Sequence, residues 1–202
     1  MEKVNKRLGE YTGDCVLGLN IGANKTSSNM KSDFSKVILH CAHNVDFITI
    51  NISSPNTEGL RDLQKGDHIA KLLSEVMLNS KSLSNPRPIF IKIAPDLELN
   101  ELEKIVSICL ENKLSGIIAT NTSNDRKVLD DSQNYRKGGI SGRPLFSKST
   151  KILAQLSKIS EGRIPLIGVG GISSGWDAFE KICAGATAVQ LYSALTYQGP
   201  SL

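Results

Sequence analysis

Six short runs along the chain are apolar almost throughout and rich in Val and Ile: Val16–Ile21, Phe47–Ser53, Ile89–Ala94, Gly116–Asn121, Pro165–Gly171 and Ala188–Ser193. Unbroken apolar runs of this length predict strands covered on both faces. Between them the period changes. Phe34, Val37, Ile38 and Cys41 recur at helical spacing, as do Ile69, Leu72, Leu73 and Val76, and Leu102, Ile105, Val106 and Cys109. Ile152, Leu153, Leu156 and Ile159 form a fourth stripe, and Phe179, Ile182 and Cys183 a fifth. Each predicts a helix with one apolar face toward a core. Strand and helix alternate without hairpin signals, so the pattern predicts βα units and a parallel α/β sheet of six strands and five intervening helices.

Two architectures use this repeat, the doubly wound open sheet and the (β/α)8 TIM barrel. A dinucleotide fingerprint GxGxxG is missing after the first run, which continues Gly22-Ala-Asn-Lys25. The last two runs instead end in Gly168-Val-Gly-Gly171 and Gln190-Leu-Tyr-Ser193. Barrels bind phosphate at a glycine turn after the seventh strand, completed by the loop after the eighth. The order therefore favours a barrel whose last six strands these are. A full barrel needs about 250 residues, and this chain has 202. The expectation is an incomplete barrel over residues 1–202, truncated at both ends, with no helix after the last strand. Met1–Leu8 reads as the tail of an internal helix.

Composition narrows the function classes. The formal charge is +4, with Lys and Arg scattered, and aromatics are 5% with Trp176 the single tryptophan. Neither pattern suits nucleic acid. No apolar run approaches the roughly 18 residues of a membrane span, and the N-terminus is no signal peptide, so the chain reads as soluble. Cys15, Cys41, Cys109 and Cys183 form no CxxC pair. Cys41, Cys109 and Cys183 fall on apolar helix faces and are expected to be buried thiols in a reducing compartment, with no metal site.

The candidate chemistry lies at the C-terminal ends of the apolar runs, where barrels carry function. Asn20, Asn51, Lys92 and the pair Thr120-Asn121 all stand there. A lone polar group at a strand end often just satisfies nearby backbone; four strands doing so at one end point to a site. Lys92 lies in Ile89-Phe-Ile-Lys-Ile-Ala-Pro95, on the face of Phe90 and Ala94. An unpaired buried ammonium is costly, so it either pairs with a carboxylate such as Asp96 or faces an anionic ligand. The loop Asn51-Ile-Ser-Ser-Pro-Asn-Thr-Glu-Gly-Leu-Arg61 carries more polar groups than a connection needs. It can hold hydroxyls and amides rigidly over a site, or simply turn the chain. His40, His43 and His68 fall on or near helices, which disfavours a Ser-His-Asp triad.

That loop resembles the active-site loop of class 2, quinone-linked dihydroorotate dehydrogenases. So do Gly18-Leu-Asn-Ile-Gly-Ala-Asn-Lys-Thr26, Ile91-Lys-Ile-Ala-Pro-Asp96 and Ala119-Thr-Asn-Thr122. Gly138-Gly-Ile-Ser-Gly-Arg-Pro-Leu145, Ile167-Gly-Val-Gly-Gly-Ile-Ser-Ser-Gly175 and Val189-Gln-Leu-Tyr-Ser-Ala-Leu195 complete seven motifs in order. The resemblance implies oxidation of dihydroorotate to orotate in pyrimidine synthesis, with FMN as cofactor and a quinone as electron acceptor. It implies Ser54 as the base, the serine marking the class because class 1 relatives carry cysteine there. It implies Asn51, Asn56, Asn121 and Thr122 as substrate contacts. Asn20, Asn51, Lys92 and Thr120 are implied flavin contacts, and Gly142, Gly171, Tyr192 and Ser193 the phosphate end. A monomer at a bacterial or mitochondrial inner membrane is implied too, with membrane contact through an N-terminal segment that this sequence lacks. Since the first two strands of the pattern are also missing, weak flavin binding and little turnover are expected. The alternatives are another phosphate-binding barrel, or a non-catalytic remnant that binds partners through open sheet edges.

Overall fold

The computed structural model describes residues 1–24, 26–27, 29–57, 59–64, 67–129 and 138–202. Lys25 and Glu58, each within a motif named above, lie outside the described residues. Every apolar run contains a strand, shorter than the run that predicts it. These are β1 Gly18–Ile21, β2 Phe47–Asn51, β3 Ile89–Ile93, β4 Gly116–Ala119, β5 Leu166–Val169 and β6 Ala188–Gln190. β1 starts late: Val16 is exposed, and the Leu17 N–H bonds the Asp46 carboxylate at 2.7 Å. β2 ends at Asn51, whose side-chain Oδ1 takes the backbone N–H of Ser53 and turns the chain out of the sheet.

All neighbouring strands are parallel and lie in chain order, β1 to β6. A doubly wound sheet reverses its order at a switch point. This one does not, and it curls in one direction into a half-barrel. The crossovers are α2 Met30–Cys41, α3 Asp67–Lys81, α4 Leu99–Glu111, α5 Phe146–Ser160 and α6 Gly175–Cys183. α1, Glu2–Gly9, precedes β1, as expected for Met1–Leu8. α7, Ser193–Gln198, follows β6 and corrects the expectation that no helix comes after the last strand. The Ala188–Ser193 run therefore gives its last residue to a helix.

The main core lies between the outer face of the sheet and the helices. Ile48, Ile50, Ile89, Ile91, Ile93, Ile117 and Leu166 meet Phe34, Ile38, Leu72, Leu73, Leu102, Ile105, Leu153 and Leu156, all buried. The inner face is packed by two aromatic rings. Phe47 and Phe90 meet edge to face at 5.6 Å. They leave no room beside them: a Cβ on Gly18 would fall 2.1 Å from the Phe47 ring, and one on Gly116 2.7 Å from Phe90.

α6 corrects the sequence reading most sharply. Its apolar stripe faces outward: Trp176 is 68% exposed, Phe179 53% and Ile182 45%. Cys183, expected buried, is exposed too. The side facing the sheet buries Asp177 and Lys181 instead. Asp177 is taken up by Arg143 Nη1 at 2.8 Å and by the N–H and hydroxyl of Ser173, each at 2.9 Å. Cys41 and Cys109 are buried thiols, and burial pushes Cys109 up to about 12. No helix among the described residues is long and apolar enough to cross a membrane.

Candidate functional site

The site is built at the C-terminal ends of β2 to β6, on the inner face. Asn51 and Lys92 are register partners on β2 and β3, so their side chains stand side by side. Lys92 is half-buried, and burial lowers its pKa below the ordinary lysine value. It has no hydrogen-bond or ion-pair partner among the described residues. Asp96, the carboxylate that the sequence offered it, is paired with Arg61 at 2.9 Å and Lys148 at 2.6 Å. The ammonium is left facing the cleft.

Asn51 Oδ1 is the centre of a small network. It accepts from Ser53 Oγ at 2.9 Å and from Asn121 Nδ2 at 3.1 Å, and Asn121 Nδ2 also reaches Ser53 Oγ at 3.0 Å. These bonds fix both amide orientations, since each Oδ1 must accept; Asn121 Oδ1 takes the Thr122 N–H at 2.7 Å. The Asn51 Nδ2 group is left to donate. The Ala119–Thr120 peptide is cis, and Thr120 is buried, its N–H bonded to the Val169 carbonyl at 2.9 Å.

Ser54 stands next to this network, half-buried, its Oγ accepting from the Asn56 N–H at 3.3 Å. Asn56 is exposed at the tip of the same loop. The loop is held from below. Arg61 donates from Nε to the Ser53 carbonyl at 3.0 Å and from Nη2 to the Thr122 carbonyl at 2.8 Å. Its third bond, to Asp96, ties both to the end of β3. From the other side Gly139 closes the contact, with no space for a Cβ, which would lie 2.0 Å from Thr122 Oγ1 and 2.8 Å from Pro55 Cγ.

Beyond Lys92 a cleft of about 170 Å³ runs across the ends of β4, β5 and β6. Thr120, Asn121 and Thr122 line one end, and Gly142, Gly170, Gly171, Tyr192 and Ser193 the other. Gly142, Gly170 and Gly171 all have positive φ (71°, 120° and 77°). A side chain at 171 would strike the Phe146 backbone at 2.6 Å. Such turns expose successive N–H groups, the arrangement that receives an anion. Ser193 opens α7 beside Gly142, 3.7 Å from where its Cβ would stand.

Of the residues singled out from sequence, Lys92, Thr120, Asn121, Thr122, Gly142, Gly171, Tyr192 and Ser193 line this one cleft. Asn20 does not; it lies on β1 in an adjoining inner hollow shared with Thr49, Gln190 and Lys92. Asn51, at the end of β2, and Ser54 and Asn56, in the loop that follows, do not line the cleft either; Asn51 joins it through its 3.1 Å bond from Asn121, which does. Sequence reasoning gave no role to Ser53, Arg61, Lys148 or Gly139, and offered Asp96 only as a partner for Lys92, where it pairs with Arg61 and Lys148 instead. Arg61 and Asp96 did stand inside quoted motifs, but nothing in their spacing marks them as partners 35 residues apart.

The family model described as dihydroorotate dehydrogenase matches residues 1–202. A dihydroorotate dehydrogenase (quinone) of Cereibacter sphaeroides is 48% identical over 94% of this chain and 54% of its own length. The mitochondrial dihydroorotate dehydrogenase (quinone) of Arabidopsis thaliana is 42% identical over 96% of this chain and 44% of its own. The ligand-free DHODH crystal structure from Eimeria tenella superposes with a TM-score of 0.89 at 35% identity, over 98% of this chain and 61% of that one. The chain thus spans about half the length of the curated relatives that it matches.

Proposed function

Given that this chain belongs to the dihydroorotate dehydrogenase family, we propose that the strand-end site oxidises dihydroorotate to orotate and passes the electrons through FMN to a quinone. The observation that carries the reading is the amide network of Asn51, Ser53 and Asn121 set directly beside the unpaired ammonium of Lys92. A phosphate site alone needs neither feature.

The donor set fits FMN. The positive-φ glycines 142, 170 and 171 and the Ser193 hydroxyl suit a phosphate, and Lys92 suits the electron-rich pyrimidine edge of the ring. Asn20, Asn51 and Thr120 are the further flavin contacts in this reading, and Tyr192 joins the phosphate end. When bound, the flavin supplies a hydride acceptor. The residues of the chain do the rest. Asn51, Asn56, Asn121 and Thr122 hold the substrate's carboxylate and ring amides, with Asn51 Nδ2 free to donate. Ser54 takes the proton from C5 while hydride leaves C6, and the C5–C6 double bond of orotate forms. A serine hydroxyl is a poor base by itself, so the proton passes on to neighbouring polar groups or water; the half exposure of Ser54 keeps that route open. Lys92 would hold the pyrimidine edge of the flavin and favour negative charge there. The quinone reaction belongs at a bacterial or mitochondrial inner membrane.

Asn20 is exposed on β1, and Tyr192 is 83% exposed at the other end of the site. Flavin held between such open ends binds weakly and turns over slowly. The test is titration of the chain with FMN, followed by the visible spectrum on anaerobic addition of dihydroorotate. Weak binding with bleaching of the bound fraction is expected, and Ser54→Ala keeps binding while losing the bleaching. Folded protein that never perturbs the flavin spectrum overturns the reading.

A further inference from the structure

Lys181 has 0% of its surface exposed, yet it lies outside the cleft and outside the roles above. Its Nζ donates to Ser149 Oγ at 2.6 Å and sits 4.9 Å from the centroid of the Phe146 ring. Ser149 has one proton to give and two carbonyls within reach, Phe146 and Gly170, each at 3.0 Å. The Phe146 carbonyl is already served by Thr150 Oγ1 at 2.7 Å. That competition favours Gly170, in the turn after β5, as the acceptor of the Ser149 proton. That turn rests directly on this assembly: a Cβ at Gly170 would lie 2.8 Å from Ser149 Oγ, and the Lys181 Cβ packs against Gly168. A leucine or methionine would fill the same space without burying a charge. The ammonium has no carboxylate within ion-pair distance among the described residues.

We propose that Lys181 is a positioning residue for the phosphate end of the cleft, fixing the Gly170 carbonyl through Ser149 and placing a positive charge under the N–H groups of the turn. The proposal rests on the reading of that turn as a phosphate site. It predicts that Lys181 matters to the phosphate of a ligand and not to its ring system. Burial lowers the lysine pKa to about 8, with Asp177 and Glu180 on its own helix opposing the shift. From the segment ahead of α5 comes Arg143, stacked over Phe146 at 5.6 Å and paired with Asp177.

FMN and riboflavin differ only by the phosphate, so the ratio of their dissociation constants isolates this end of the site. The wild-type chain is expected to prefer FMN, and Lys181→Met to lose about tenfold of that preference with riboflavin affinity unchanged. Ser149→Ala, which keeps the charge and cuts the relay, gives a smaller loss of the same kind. A Lys181→Met chain that keeps the full preference overturns the proposal while leaving the phosphate reading intact. A wild-type chain that binds the two equally overturns the phosphate reading, and this inference with it. Should Lys181→Met fail to fold, the wild-type ratio measured from pH 7 upward serves instead. The phosphate is already ionised there, and Lys92, near the ring, acts on both ligands alike. The preference is expected to fall as Lys181 loses its proton; a ratio flat through pH 9.5 overturns the proposal.

Discussion

Asp96 sits where three loops meet. Its carboxylate accepts from Lys148, Ser123, the Asn124 N–H and Arg61. Partial burial alone would raise its pKa, but these donors overcome that and hold it at about 2, against an ordinary 3.8. A carboxylate depressed on folding stabilises the protein above its unfolded pKa, and the contribution disappears as pH falls toward the folded value. The shift corresponds to about 2 kcal/mol near neutral pH. Asp96→Asn is therefore expected to lower unfolding stability at pH 6, with the gap to wild type closing between pH 4 and 2. Urea unfolding at both ends of that window checks it; a gap of equal size at pH 2 would assign the loss to packing. Arg61 explains why Asp96 matters to the site, since the same guanidinium holds the Ser53 and Thr122 carbonyls. No spacing rule in the sequence announces such a hub. Asn51, Lys92 and Asn121 were legible because polar residues ending apolar strands stand out, whereas Lys148 looks like an ordinary helix-surface charge and Asp96 stood out only as a partner for Lys92.

At the scale of elements, periodicity located the crossover helices correctly and assigned the faces of α2 to α5, but not that of α6. A repeat of three and four says that one face is apolar. It does not say which face the sheet will accept. Here the sheet side is occupied by the polar assembly of Arg143, Asp177, Ser173, Ser149 and Lys181, and Trp176 and Phe179 stack on each other outside, ring centroids 5.2 Å apart. Phe179→Glu is therefore expected to shift the stability of the chain by less than about 0.5 kcal/mol. Leu153→Ala on α5, fully buried against the sheet, is expected to cost about 2–5 kcal/mol. Denaturant unfolding of the two variants decides between the outward face seen here and the inward face that the stripe implied. A cost for Phe179→Glu near that of Leu153→Ala would mean that the helix turns over in solution. The strand ends were misjudged for a related reason: Ser53, Asn121 and Ser193 continue their apolar runs in sequence, but their backbones leave the ladder to build loops and a helix.

For the molecule as a whole, stability and chemistry occupy opposite faces of one curled sheet. The outer face and its helices hold the continuous apolar core, while the inner face holds Phe47, Phe90 and then the polar strand ends. Lys92 is where the two demands conflict. It stands on a core strand between buried Ile91 and Ile93, half out of water and without a partner among the described residues. Its lowered pKa means that folding disfavours the charged form. The penalty is complete at neutral pH and is relieved as pH rises through the folded pKa toward the ordinary value of about 10.4. Lys92→Met removes a charge and keeps the length of the side chain, so it is expected to stabilise the chain by about 1 kcal/mol at pH 7. The advantage should shrink as the wild type is titrated toward pH 10. On the proposed reading of Lys92 as a flavin contact, the same substitution is expected to weaken FMN binding. Thermal unfolding across pH, run beside a flavin titration, reads both quantities on one pair of proteins. If Lys92→Met were less stable and still bound flavin as well as wild type, Lys92 would be a structural residue and the cleft would need another cation.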